Sequence, residues 1–368
     1  MRKYLFGEKG KFYKANLHTH STVSDGSMSP ELVKKVYMNK GYSVVAFTDH
    51  NIMIDHSNLC DENFVALNGV EFDFYEGWNP DFVDKGYSYC GWKAVHLVFI
   101  AKDPDNLVMP CYRREGLRAL GNAFKYVDQI KYDQSKPDFI RYYTPENINK
   151  ALKEAHDTGF YTIYCHPRWN NEDYRDYSQY LNLDAMEICN FGTYRGGLEE
   201  YTPHVYEDFL RQGRRMVCVA NDDCHGAFPP DHVRTDIAGG FTMIKSESLD
   251  YKSIMENLKK GNCYASMGPE IHDIYFEDGR LYVTCSPVQM ISMTTAGRRG
   301  ASAYDVDGNG VTKAVFDVYE EDCFVRITLR DKFGRRANSR AYFVDELYEG
   351  EDYTYWYGHV KVKKGEKP

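Results

Sequence analysis

Apolar positions fall into two alternating rhythms from the start of the chain to about residue 260. Short β-prone runs occur at 14–17, 43–47, 64–70, 94–100, 160–164, 185–188, 216–220 and 241–244, and stretches with helical spacing lie between them. This alternation predicts an α/β architecture with a mainly parallel sheet or barrel, and eight strand candidates suit a barrel. Hydroxyl-proline pairs at Ser29-Pro30, Thr144-Pro145 and Thr202-Pro203 mark three helix starts, the hydroxyl capping and the proline fitting the first turn. Helical patterns over 30–40, 145–158 and 249–260 each stop at a glycine: Gly41, Gly159 and Gly261. Two stretches, 73–93 and 102–143, interrupt the alternation and read as insertions on the loop face, with a candidate helix at 114–132. Beyond Gly268-Pro269 the helical patterns cease and turn-rich β runs take over. The expected division is therefore 1–268 as an α/β domain and 269–368 as a small β-rich accessory domain.

The ends of the apolar runs carry the chemistry. Residues two apart on a strand share a face, so His18 and His20 can offer two imidazoles to one metal ion while Thr19 turns away. That pair is weak alone and gains force from repetition. Val44 to Phe47 leads into Thr48-Asp49-His50, Ala66 to Val70 into Glu71, and Thr162 to Cys165 into His166; Val217 to Ala220 leads into Asn221-Asp222-Asp223-Cys224-His225, and His96 sits within Val95-His96-Leu97. In a parallel barrel the strand C-termini open on one face, where such residues converge. Burying them unpartnered costs roughly several kcal/mol each, and shared metal ions satisfy them together.

In order along the chain, these residues resemble the PHP (polymerase and histidinol phosphatase) superfamily of metal-dependent phosphoesterases. His18-Thr19-His20-Ser21-Thr22-Val23-Ser24-Asp25-Gly26 is similar to its first motif and Thr48-Asp49-His50-Asn51 to its second. Gly69-Val70-Glu71, His166-Pro167 and Asp223-Cys224-His225 are similar to the later ones. The resemblance covers about residues 12 to 268 and implies a distorted (β/α)7 barrel, one strand fewer than the pattern suggests. It also implies three metal positions: His18, His20, Glu71 and Asp223 at the first, Glu71, His96 and His166 at the second, and Asp25, His50 and His225 at the third. Two to three divalent ions are expected. The Asp25 carboxylate favours manganese or iron, with magnesium possible, over a centre made wholly of zinc. A hydrogen-bonded core histidine is the alternative for His96.

Three divalent ions against three carboxylates leave a positive centre, which suits a phosphate dianion. A metal lowers the pKa of bound water from 15.7 to about 7, so hydrolysis of a small phosphorylated metabolite by metal-bound hydroxide is the expected reaction. Asp49 can orient a neighbouring imidazole or donate a proton to the leaving group. Arg168, Arg195 and Arg234 follow ligand-bearing segments and are candidates for gripping phosphate oxygens, with solvated surface arginines as the alternative.

Composition narrows the remaining readings. The 368 residues are 43% hydrophobic with a formal charge of -9, enough for a large core and without the basic footprint of a general nucleic-acid binder. A single-strand nuclease and a binding protein that retains its metals without turnover stay as alternatives. No run suits a signal peptide or a membrane span, which makes the cytoplasm the expected location. The ten cysteines lack paired spacing and read as reduced thiols. Cys165 and Cys224 adjoin ligands but point to the other strand face. Asp305-Val306-Asp307-Gly308-Asn309-Gly310 begins like a calcium loop but has Phe316 where a bidentate Glu is needed, so a plain turn is expected.

Overall fold

A computed structural model describes residues 2–79, 93–115, 121–348, 354–357 and 360–363. Each predicted run is a strand: β1 Lys11–Asn16, β2 Val44–Phe47, β3 Val65–Tyr75, β4 Ala94–Ala101, β5 Phe160–Tyr164, β6 Ala185–Asn190, β7 Val217–Asn221 and β8 Phe241–Ser246. The longer helices are α1 Pro30–Asn39, α2 Pro145–Asp157, α3 Pro203–Arg211 and α4 Tyr251–Lys260. Ser29 and Thr144 cap α1 and α2 by accepting from the Leu32 and Asn147 amides. The Thr202 hydroxyl does not cap α3; it is buried without a hydrogen-bond partner, and Pro203 alone presets the first turn. Asp250 caps α4, and Gly261, at φ 72, ends it.

These strands lie side by side in the order β7-β6-β5-β4-β3-β2-β1-β8. β1, β2 and β3 are mutually parallel, as are β5, β6 and β7. β4 runs antiparallel to both β3 and β5, and β8 antiparallel to β1. The sheet is thus mixed, with four of its seven pairings parallel as expected and reversals at β4 and β8; the reversal from β3 into β4 needs no crossover helix. The first insertion also begins later than residue 73. Asp73, Phe74 and Tyr75 still belong to β3 and pair with His96, Val95 and Ala94. Past the strand ends, the Asp223 amide donates to His18 O at 3.1 Å and the His20 amide to Cys224 O at 2.9 Å, so the extension of β7 meets that of β1.

Both faces of β2 to β7 are buried, which explains their largely apolar runs. Val44 and Ala46 face an inner cluster with Leu17, Leu67, Ile163 and Val219, while Val45 and Phe47 pack with Val33 and Tyr37 of α1. Of the predicted 114–132 helix, the described part holds a 3-10 run, Ala123–Gln129; residues 80–92 and 116–120 lie outside the described residues.

After Gly268 the regular structure of the described chain is antiparallel strand, apart from brief helical turns at Glu320–Asp322 and Val344–Leu347. Ile271–Glu277, Arg280–Val288 and Val311–Asp317 form a small sheet with the N-terminal Lys3–Tyr4. Arg336–Ser339, Phe324–Arg330, Met290–Thr295 and Gly300–Tyr304 continue the large sheet beyond β8 through Cys263–Ser266. A second core, with Leu5, Ile274, Val283, Met293 and Ile327, lies among these strands. The calcium-like segment is a turn in which the Gly308 amide bonds Asp305 Oδ1 at 2.8 Å. The described cysteines are free thiols, buried except for Cys60, and among the described residues no helix is long and apolar enough to cross a membrane.

Candidate metal centre

The sharp ends of β2, β5 and β7 bring the candidate ligands inward. Asn51, His166 and Asp223 take positive φ values of 61, 27 and 51°, a backbone cost of about 1–3 kcal/mol each for residues other than glycine. Strain of this kind persists where surrounding contacts over-determine the geometry. Here it turns the chain immediately after His50, at His166 and at Asp223. His96 reaches the same place by another route. Its strand is antiparallel, so the third residue of β4 lies opposite Asp73, near the mouth where the parallel strands end.

Glu71 is the hub of the arrangement and is 1% exposed. Its Oε1 lies 3.2 Å from His18 Nε2, 2.9 Å from His96 Nδ1 and 3.2 Å from His166 Nε2. Its Oε2 lies 3.2 Å from both His20 Nε2 and His50 Nδ1. Asp223 Oδ1 approaches His20 Nε2 at 3.0 Å and His18 Nε2 at 3.3 Å, and those two nitrogens are 3.3 Å apart. Ligands on one ion at about 2.0–2.2 Å lie roughly 3.0–3.5 Å from one another, so His18, His20, Glu71 and Asp223 have the spacing of a single coordination shell. Hydrogen bonds explain this packing less well. Glu71 Oε2, His50 Nδ1 and His20 Nδ1 are buried without a hydrogen-bond partner despite facing polar neighbours. The residues therefore fit a metal.

A looser group forms around Asp25, whose oxygens lie 3.8 Å from His50 Nε2, 3.6 Å from His225 Nε2 and 3.7 Å from His20 Nδ1. The sequence assigned Asp25, His50 and His225 together and did not foresee His20 among them. His20 is stacked between the His50 and His225 rings, with centroids 4.4 and 4.2 Å away. His50, Glu71 and His96 also form a group of their own, while His166 approaches the hub from the His18 side. The remaining histidines described here include His56, buried against the Phe47 ring at 4.4 Å as a core residue.

Burial alone would raise the carboxyl pKa values of Glu71 and Asp223, but the surrounding imidazoles hold both well below the usual range. Burial pulls His20 and His166 down, and their contacts with Glu71 and Asp223 outweigh it, leaving them at about 10 and about 9. His50 is pushed down to about 4, chiefly by burial. Without metal, then, protons on His20 and His166 neutralise the carboxylates, and they occupy the same lone pairs a cation needs.

Several supporting groups escaped the sequence reading. Glu187, fully buried in β6, accepts from His18 Nδ1 at 2.9 Å, from the His166 amide at 3.0 Å and from Asn190 and Asn221 side chains. A carboxylate inside the apolar run Ala185-Met186-Glu187-Ile188 was the available signal. By taking the Nδ1 proton it leaves the His18 Nε2 lone pair facing Glu71 and Asp223. Glu187→Gln should weaken metal affinity by about 10- to 100-fold with the fold intact; a metal titration that leaves affinity within twofold would refute this role.

Asp49 does not reach an imidazole. Its carboxylate accepts from the amides and hydroxyls of Ser21 and Ser24 at 2.7–3.0 Å, pinning the loop that carries Asp25. Neither does any of the three chosen arginines line the cleft. Arg168, Arg195 and Arg234 are exposed; Arg234 packs over the Phe228 ring, 4.5 Å from its centroid. The arginine buried beside the centre is Arg141, which pairs with Asp73 at 3.1 Å and bonds the Asn51 side chain. It ties the 102–143 segment to β3 and to the residue after His50. Cys165 and Cys224 are buried thiols that burial holds well above their ordinary pKa, which removes the thiolate a nucleophile needs.

Asp25, His50, Glu71, His96, His166, Asp223 and His225 line an open cleft of about 560 Å³. Family models and curated proteins give no match to this chain. Among solved structures it is similar to a two-domain protein from Bacteroides vulgatus containing a predicted PHP-like metal-dependent phosphoesterase. That pair is 13% identical, with 91% of this chain and 95% of the other covered and a TM-score of 0.44. A provisionally assigned metal-dependent phosphoesterase from Bifidobacterium adolescentis is 16% identical over 61% of this chain and 92% of its own, with a TM-score of 0.37. An amidohydrolase from Chromobacterium violaceum with bound sulfate and no metal is 14% identical over 57% and 87%, with a TM-score of 0.35. The chain is thus similar to PHP-like and amidohydrolase structures at a distance where its chemistry rests on its own side chains.

Proposed function

We propose that this chain is a metal-dependent hydrolase of PHP type that cleaves a phosphate ester of a small metabolite. The carrying observation is the four-donor shell of His18, His20, Glu71 and Asp223, with donor spacings of 3.0–3.3 Å, of which Glu71 and Asp223 line an open cleft. In this reading β1 to β7 close as a distorted (β/α)7 barrel, supported by the backbone bonds between the His18 and Asp223 segments. In this reading residues 1–268 form that domain and 269–368 its β-rich accessory, whose small sheet also takes in the N-terminal Lys3–Tyr4.

His18, His20, Glu71 and Asp223 would hold one ion, His96 and His166 would share Glu71 with a second, and Asp25, His50 and His225 would hold a third. Two to three divalent ions, of manganese, iron or zinc with magnesium possible, lower the pKa of water to about 7 and stabilise charge on the phosphoryl oxygens when bound. The chain supplies the geometry. Glu187 fixes the tautomer of His18, Asp49 fixes the Asp25 loop, and the left-handed turns at His166 and Asp223 hold those side chains inward.

Purified protein stripped and reloaded with manganese should hydrolyse members of a phosphate-ester panel, and Asp223→Ala should lose that turnover. No metal uptake, or full turnover by Asp223→Ala, would reject the reading.

A further inference from the structure

The cleft has two unlike parts. Its floor is made of carboxylates and imidazoles, while beside His96 and His166 stand Trp169, Tyr75 and Leu198. The Trp169 ring centroid is 4.7 Å from that of His96 and 5.1 Å from that of His166, tilted 56 and 77° to them. Trp169 nevertheless stays 41% exposed. Its loop is held firmly. Buried Glu200 accepts from the Arg168 and Trp169 amides at 2.9 and 2.8 Å, and Asn170 Nδ2 donates to Cys165 O at 2.8 Å. The loop thus holds the indole at the edge of the polar site, where its exposed surface is placed to receive an apolar ligand. Tyr75 adds a second ring, its hydroxyl 3.1 Å from His96 Nε2.

Charge narrows the ligand further. Among the described residues lining the cleft there is no lysine or arginine, and Asp236 contributes a carboxylate besides those of the metal-binding groups. A phosphoryl group is served by the metal positions, and a second anionic group would meet Asp236 with no lysine or arginine among the described lining residues to receive it.

We propose that Trp169, with Tyr75 and Leu198, forms a leaving-group subsite for a flat, uncharged ring, so that the preferred substrates carry one phosphoryl group and an aromatic or heteroaromatic moiety. This rests on the phosphoesterase reading. Placed on the floor near His96 and His166, a phosphoryl group directs its ester substituent toward the indole, where stacking favours a ring over a flexible chain.

The test uses manganese-loaded protein and three primary-alcohol esters of similar intrinsic reactivity: 2-phenylethyl phosphate, n-butyl phosphate and butane-1,4-diol bisphosphate. The phenylethyl ester should have a kcat/KM about 10- to 100-fold above the butyl ester, and the bisphosphate should fall below both. Trp169→Ala should bring the phenylethyl and butyl esters to within about twofold of one another, and Trp169→Phe should keep part of the preference, with metal content measured on each variant. Equal turnover of the two esters by the parent protein, or a preference that survives Trp169→Ala, overturns the subsite. If neither ester is hydrolysed and no member of the phosphate-ester panel is either, the phosphoesterase reading falls. The subsite is then decided by calorimetric binding of 2-phenylethylphosphonate against n-butylphosphonate to the metal-loaded protein, where equal affinities overturn it.

Discussion

Glu71→Gln should remove both metal uptake and turnover, the latter by at least ~10³-fold. Among the described residues no other side chain touches so many of the candidate ligands. Glu71 lies 2.9–3.2 Å from nitrogens of His18, His20, His50, His96 and His166. An amide keeps the size and removes the charge, and its NH₂ points hydrogens at nitrogens that need their lone pairs for a cation. Water cannot fill the role, because the carboxylate is almost fully buried. Elemental analysis of the purified variant beside its turnover checks this. Full metal content with less than a tenfold fall in rate would mean that Glu71 is a structural partner of the imidazoles and not a bridge between ions. Circular dichroism should show the secondary structure unchanged, which separates loss of the centre from loss of the fold.

The centre was legible in the sequence because ligands interrupt apolar runs at strand ends, and a polar residue in such a place has few structural uses. His18, His20, Glu71, His166 and Asp223 announced themselves in this way. The direction of β4 did not. Whether a run of Ala-Val-His-Leu-Val-Phe-Ile pairs parallel or antiparallel depends on distant strands, and local pattern is the same for both. His96 was therefore reached for the right cleft from the wrong end of its strand. The three arginines lie at the surface, the alternative that the sequence left open. Arg168, Arg195 and Arg234 follow ligand-type segments by a few residues, and that distance carries no information about where a long side chain ends. Arg141 gave no local signal, since its burial depends on Asp73 and Asn51 from other elements. Glu187 did give one, a carboxylate inside a strand otherwise apolar, and it belongs to the same class of signal as Glu71.

Metal should stabilise the protein more at high pH than at low, and the increment should grow between about pH 6.5 and pH 9. His20 and His166 sit at about 10 and about 9 in the metal-free fold, above the ordinary 6.5 of an imidazole. Raised values mean that the stabilisation from their protons is complete below about pH 6.5 and is lost as pH rises through about 9 to 10. What is lost is the neutralisation of Glu71 and Asp223, so the chelated protein should melt at a lower temperature as pH rises. Other buried groups change stability in the same direction. Glu172, Glu200 and Asp222, each raised to about 7 mainly by burial, lose their contribution by about pH 7, and buried thiols do so at higher pH. The losses at Glu172 and Asp222 are common to the stripped and loaded protein, and Glu200, which feels the His166 charge, responds with the centre, so the difference between the two reports the centre. A divalent ion takes the place of the lost protons and binds the folded state alone, which adds about 4 kcal/mol at a thousandfold excess over Kd. Proton competition weakens that binding as pH falls. Thermal melts of chelated and manganese-loaded protein at pH 6.5, 7.5, 8.5 and 9 measure the increment. An increment that stays flat or shrinks as pH rises would show that the histidine cluster is satisfied by its own hydrogen bonds and holds no ion.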